Sequence, residues 1–155
     1  MDWGNSKMPE INHKILIRKD RHDIYRVLTT AEGWNSWFTD GTELNLNSDG
    51  TGDIRLKWNN YGPEKLVLED GGRVLHAEPV SRFIFQWTPG ESTTTVSFTL
   101  EPAEEGTIVS VHETGYSSSL KDLQACVNCA AGWGEALVLL KLYVEHALVC
   151  KQDLG

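Results

Sequence analysis

The sequence has few basic residues and no long hydrophobic run. Its 155 residues carry 14 Lys and Arg against 22 Asp and Glu, a formal net charge of -8. Nucleic acids and anionic membrane surfaces bind basic faces, so this charge balance argues against both as partners. No eighteen apolar residues follow one another, and residues 1–10 lack the apolar core of a signal peptide. We therefore expect a cytoplasmic protein that does not insert into a membrane.

Cysteine is also scarce, since only Cys126, Cys129 and Cys150 are present. This odd number is too small for a disulfide scaffold and fits a reducing compartment. Cys126 and Cys129 have the spacing of a redox pair or of half a zinc site, but no second Cys or His pair accompanies them. The favoured interpretation is that both are small residues near the last helix. The five histidines are scattered, and we expect no metal and no cofactor.

The length and the 40% hydrophobic content fit one domain with a substantial core. Residues 1–10 are polar and are predicted to form an N-terminal tail, which leaves 11–150 as the domain. Its last stretch, 132–150, lacks Gly and Pro after Gly134 and favours a long helix. Apolar residues recur along it at helical spacing, so the helix needs an apolar partner.

The partner is predicted to be an antiparallel sheet. Residues 11–17 alternate as a strand, and two short helices follow, the first capped by Asp20 and the second rich in tryptophan. Seven further alternating segments are separated by turn residues, at 42–46, 52–58, 65–69, 73–78, 82–87, 93–102 and 106–114. Their apolar residues share one parity, which predicts a sheet with one apolar face. The C-terminal helix is the element long enough to cover that face, which gives an α+β fold.

This order of elements resembles the helix-grip fold of the START-like, or SRPBCC, superfamily. Four local motifs are similar to the AHSA-type branch, that of the activator of heat-shock protein 90 ATPase homologue. They are WNSWF at 34–38, VSRFIFQW at 80–87, GTIVSVHETGY at 106–116, and GW at 132–133 followed by leucines at 137 and 140. The resemblance implies a curved antiparallel sheet wrapped around a long C-terminal helix. It also implies a cavity between them, and it suggests a role in the stress response.

Several residues are predicted to meet between the sheet and the helix. The candidates for binding a ligand there are Trp58, His76, Phe85, Trp87, Phe98, Glu113, Trp133 and Leu137. If the aromatic rings pack completely they form core, and if the sheet curves away from Gly132 and Gly134 they line a pocket. Parity places Glu113 and His13 toward the same interior, where either could act as an acid or base.

Three functions remain open from the sequence. The first is binding of a small hydrophobic or aromatic molecule without catalysis, because no catalytic constellation is recognisable. The second is interaction with a chaperone, as the resemblance to the ATPase activator implies. The third is an enzyme that uses Glu113 or His13 in the cavity. We expect binding rather than catalysis.

Overall fold

The computed structural model describes residues 8–153, so most of the predicted tail lies outside the described residues. Seven antiparallel strands form one sheet in the order β1-β7-β6-β5-β4-β3-β2. The strands are β1 (Ile11–Ile17), β2 (Glu43–Leu46), β3 (Gly52–Tyr61), β4 (Leu66–Glu78), β5 (Arg82–Trp87), β6 (Thr94–Ala103) and β7 (Gly106–Thr114). Between β1 and β2 lie the helices α1 (Arg21–Leu28) and α2 (Ala31–Trp37), and α3 (Leu120–His146) follows β7. A short 3-10 helix, Lys151–Asp153, ends the described chain.

The buried face of the sheet confirms the alternation in the sequence. Its members, all buried, are Ile54, Leu56, Trp58, Val74, Phe83, Phe85, Trp87, Val96, Phe98, Leu100, Val109 and Val111. The short helices add Trp34 and Trp37, which are fully buried. Trp34 satisfies its indole Nε1 by donating to the Leu28 carbonyl at 2.8 Å. The core therefore lies between the sheet, the short helices and α3.

One predicted turn is wrong. Residues 65–69 and 73–78 were expected to be separate strands joined at Asp70-Gly71-Gly72, but they are halves of the continuous strand β4. Glycine here serves close backbone approach rather than chain reversal. A Cβ on Gly71 would collide with the Ile54 carbonyl, and one on Gly72 with the Gln86 carbonyl. The sheet therefore has seven strands instead of the eight that the sequence suggested.

The C-terminal helix begins twelve residues earlier than predicted. The stretch 117–131 had no assignment, yet α3 starts at Leu120, with Ser119 as its N-cap accepting from the Asp122 amide at 3.1 Å. The helix ends at His146, because Ala147 adopts a left-handed conformation, so the predicted end at residue 150 is also wrong. Gly132 and Trp133 consequently lie in the middle of the helix and not at its start.

Asp122 joins the start of α3 to two loops. Its side chain is fully buried and accepts from the backbone amides of Glu91 at 2.6 Å, Ser92 at 3.1 Å and Ser117 at 2.7 Å. Hydrogen bonds from Ser117, Ser92 and Glu91 hold the pKa of this carboxyl well below its usual range. The β5–β6 loop and the chain entering α3 are thereby fixed to one carboxylate.

The other half of α3 is fixed to the edge strand β1. Lys141 Nζ donates to the Leu16 carbonyl at 2.5 Å and to Glu145 at 2.7 Å. Glu145 accepts in turn from the Arg18 amide at 2.7 Å.

By length and composition alone α3 could cross a membrane. One face of the helix packs in the core, however, with Trp133, Ala136, Leu137 and Leu140 buried.

Candidate functional site

A cleft of about 720 Å³ opens between the β3–β4 hairpin and the middle of α3. The hairpin contributes Tyr61, Leu66 and Leu68, and the helix contributes Cys129 and Trp133. The register of β3 and β4 shifts between Trp58 and Tyr61, two of the residues that line this space.

Five aromatic side chains line this space, and three of them come from the predicted set. Trp58, Trp87 and Trp133 each contribute a ring to the cleft, although they are only 6%, 8% and 2% exposed. Phe38 and Tyr61 complete the aromatic lining and were not predicted. Their rings form a connected group, with centroids 5.5 Å apart for Trp87 and Trp133 and 5.2 Å apart for Phe38 and Trp58. The aromatic part of the lining is therefore one group of packed rings.

The remaining predicted apolar residues belong to the core. Phe85 and Phe98 are fully buried, Leu137 is 3% exposed, and none of the three lines the cleft. Phe98 packs edge-on against Trp133 at 5.6 Å and so supports a cleft ring from behind. Of the predicted apolar residues, the three tryptophans therefore line the cleft, whereas Phe85, Phe98 and Leu137 form part of the core.

Glu113 projects inward, as its parity predicts, but it is enclosed behind the cleft. It is fully buried, and both of its carboxylate oxygens accept hydrogen bonds. Oε1 accepts from Trp133 Nε1 at 2.9 Å, and Oε2 accepts from Trp87 Nε1 at 2.7 Å and Thr94 Oγ1 at 2.5 Å. Three donors on one carboxylate hold the two indole rings in fixed orientations. This arrangement makes Glu113 a clamp for two cleft rings.

The two histidines that parity placed inside do not reach the cleft. The register of β4 against β5 shifts between Val74 and His76, and this irregularity puts His76 on the outer face. Its imidazole side chain is 44% exposed and lies 3.4 Å from Glu78. His13 instead contacts α3, where its Nε2 lies 2.7 Å from the Ala130 carbonyl. Its ring joins the first strand to the helix.

The two closely spaced cysteines are both free thiols on α3. Cys129 lines the cleft, and burial raises its pKa to about 12, while burial also raises the pKa of Cys126. Neither sulfur is a thiolate at neutral pH, so neither is an activated nucleophile. Beside Cys129 lies Tyr116, whose pKa is raised by burial and then by the neighbouring thiol. Within residues 8–153 no group of three or more metal-binding side chains is assembled.

Polar groups around the cleft escaped the sequence analysis. Asp70 is half-buried beside the cleft and accepts from the backbone amides of Gly71 at 2.7 Å and Thr88 at 3.1 Å. Burial raises its pKa, because the desolvation outweighs these hydrogen bonds. Glu135 on α3 also borders the cleft. Asp70 falls in a predicted turn and Glu135 lies off the apolar stripe of the helix, so only the three-dimensional arrangement brings them together.

Comparison with solved structures confirms the fold. The Aha1 dimer from Colwellia psychrerythraea matches with a TM-score of 0.72 at 24% identity, covering 90% of this chain and 98% of that one. An AHSA1-like protein from Aeromonas hydrophila matches with a TM-score of 0.67 at 18% identity, over 90% of this chain and 94% of that one. DynU16, a putative protein of the dynemicin biosynthetic locus, matches with a TM-score of 0.73 at 17% identity, over 94% of this chain and 51% of that one.

Sequence comparison identifies the family. A search of curated proteins finds no match. The family described as activator of Hsp90 ATPase homolog 1-like protein matches residues 19–145, which contain both short helices, β2 to β7 and nearly all of α3. With its curved seven-stranded sheet and long C-terminal helix, the chain belongs to the activator of Hsp90 ATPase homolog 1-like family.

Proposed function

We propose that this protein binds a small apolar or aromatic molecule in the cleft between the β3–β4 hairpin and α3. The observation that carries the proposal is the aromatic lining of a space of about 720 Å³. Pockets of this size with mainly apolar walls are the usual form of small-molecule sites. Displacing water from the indole and phenol faces supplies the driving force.

The clamp at Glu113 supports binding over catalysis. Its carboxylate has no free side toward the cleft, because two indoles and a threonine hydroxyl occupy it. An acid or base must come within hydrogen-bond distance of the reacting proton. Cys129 borders the cleft only as a protonated thiol. Neither Glu113 nor Cys129 is therefore placed to catalyse a reaction in the cleft, and the hydrogen bonds to Glu113 fix two rings that can contact a ligand.

Filling the cleft from α3 tests this function. Gly132 lies on the helix face that borders the cleft, and a Cβ there would come no closer than 3.9 Å to Tyr61 Oη. Gly132→Leu should therefore enter the empty space without disturbing the fold. We expect the affinity for the neutral fluorescent probe N-phenyl-1-naphthylamine to fall at least tenfold. Tm should stay the same or rise, because leucine favours a helix over glycine.

Gly132→Ala is the matched control, since it makes the same backbone change and adds only one methyl group. It should retain most of the probe affinity and gain similar thermal stability. Fluorescence titration and thermal unfolding of the three proteins give both quantities. If the native protein shows no saturable binding, or if Gly132→Leu binds the probe as well as the native protein does, the cleft is not the binding site.

A second candidate function is contact with a chaperone ATPase, as the family description suggests. The observation that favours it is an exposed apolar stripe on the first half of α3. The stripe consists of Leu120, Leu123 and Val127, which are 72%, 40% and 70% exposed. Apolar side chains at this spacing on one helix face are typical of a protein-contact surface.

We expect the native chain to raise the ATP turnover of purified Hsp90 and Val127→Glu to remove at least four-fifths of that increase. A charge in the centre of an apolar contact is costly to desolvate, which is the reason for the loss. Val149→Glu makes the same change at an exposed position beyond the end of α3 and serves as the control. Turnover that the native chain leaves unchanged would rule this candidate out.

A further inference from the structure

The cleft contains charges of one sign only. Four carboxylates border it, Glu64, Glu69, Asp70 and Glu135, and its lining includes no lysine, arginine or histidine. The protein has 14 Lys and Arg in all. The charged side chains that line the cleft are therefore all acidic, while the basic side chains of the protein lie outside its lining.

Most of these carboxylates have no basic partner. Arg55 Nε donates to Glu69 at 2.6 Å and neutralises that group. Within residues 8–153, no Lys, Arg or His nitrogen comes within 4.0 Å of the Glu64 or Glu135 carboxylates. Asp70 is half-buried, accepts hydrogen bonds only from backbone amides, and lies near enough to Arg55 for that guanidinium to lower its pKa in part. Glu64 and Glu135 are exposed and are the carboxylates of the cleft without such a neighbour, so they are available to a cation.

The rings of the cleft add a second attraction for positive charge. Trp58, Tyr61, Trp87 and Trp133 border the same space, and the faces of such rings attract ammonium groups. Tyr61 belongs to the aromatic lining and also lies near one of the carboxylates. Its pKa is raised by burial and next by Glu135, which places that carboxylate close to the phenol. Aromatic surface and unpaired negative charge therefore lie side by side.

From these contacts we infer that the ligand is an organic cation, a protonated amine attached to an apolar or aromatic body. The inference rests on the proposed function and specifies the chemical class for that same site. The body would contact the tryptophan and tyrosine rings, and the ammonium would lie between Asp70, Glu64 and Glu135. Fatty acids and other anionic ligands are disfavoured, because like charges repel in a partly desolvated site. A bare metal ion is also disfavoured, since no metal-binding cluster is assembled in residues 8–153.

Three probes of nearly equal shape test the charge preference. They are 1-naphthylmethylamine, 1-naphthalenemethanol and 1-naphthoate, which at pH 7 are a cation, a neutral molecule and an anion. Calorimetric titration of the full chain at low salt should give at least tenfold tighter binding for the amine than for the alcohol. The carboxylate should bind more weakly than either. Raising the salt concentration should reduce the preference for the amine and leave the alcohol unchanged.

A double variant that removes two negative charges tests the contribution of the carboxylates. Glu64→Gln with Glu135→Gln should reduce amine binding at least fivefold and leave alcohol binding within twofold. The control pairs Glu101→Gln with Glu104→Gln, which makes the same change in net charge at exposed positions outside the cleft. It should alter neither affinity.

The possible results separate the two proposals. Equal binding of all three probes, abolished by Gly132→Leu, would overturn the cation inference and leave the proposed function standing. Preferential binding of the amine that the Glu64 and Glu135 variant leaves unchanged would place the cation elsewhere and overturn the inference. If none of the three probes binds the native protein, both proposals fail.

Discussion

Replacing Glu113 by leucine should lower the free energy of unfolding by about 4 kcal/mol, one of the two largest effects we expect from a single substitution. The change leaves Trp87 Nε1, Trp133 Nε1 and Thr94 Oγ1 buried without their acceptor. Each unsatisfied buried donor costs roughly 1–3 kcal/mol, and the partial gain from burying an apolar side chain offsets only part of that cost. Urea denaturation followed by circular dichroism measures the loss.

Two further variants show that the loss comes from the hydrogen bonds. Thr94→Val removes one of the three donors with little change of shape, and we expect it to cost about 1 kcal/mol. In the Glu113→Leu background the same threonine change should cost nothing, because its partner is already gone. Additive effects of the two substitutions, or a total loss below about 1 kcal/mol for Glu113→Leu, would contradict the clamp role.

Asp122→Ala should produce the second large loss of stability, with Tm lower by roughly 10 °C. The substitution leaves the amides of Glu91, Ser92 and Ser117 without the carboxylate that they share, and it does so in a fully buried place. It also weakens the first turn of α3, where an acidic side chain is favourable. Asp153→Ala alters an exposed acidic residue near the C-terminus and should leave Tm within about 1 °C.

The stabilisation from Asp122 should depend on pH. Its folded-state pKa is depressed, so the unfolded chain takes up the proton first as the pH falls. The contribution is therefore complete above the unfolded pKa of about 4 and disappears as the pH falls further toward the folded pKa. The stability difference between the native protein and Asp122→Asn should be constant from pH 7 to pH 5 and should shrink below pH 4. A difference that is independent of pH down to pH 2 would exclude this linkage.

The sequence alone was enough to predict the fold, because the alternation of apolar and polar residues that is typical of strands repeats through the chain. The apolar residues of β3, β5, β6 and β7 alternate without interruption, and their buried face follows from that alternation. The start of α3 was predictable in principle, since Ser119 and Asp122 have the spacing of a helix N-cap and its third residue. The pair Gly71-Gly72 misled the prediction, because glycine that permits close strand packing and glycine that permits a turn look alike in a sequence.

The cleft was not predictable to the same extent. The strand register is irregular at two places, between Trp58 and Tyr61 and between Val74 and His76, and alternation cannot anticipate a bulge. One bulge moved His76 from the expected inner face to the outer one. The carboxylates of Asp70 and Glu135 come from elements far apart in the chain, so nothing local in the sequence associates them.

The double role of Trp87 and Trp133 places a structural constraint on one wall of the cleft. Both indoles border the ligand space and donate to the buried Glu113, so changing either one would alter ligand contact and fold stability together. On the opposite hairpin, Leu66 and Leu68 line the cleft and are 44% and 39% exposed, and Tyr61 packs against Trp58 without a hydrogen bond to Glu113. Among relatives with this clamp, ligand preference should therefore diverge first along the hairpin, where substitutions carry the least penalty to the fold.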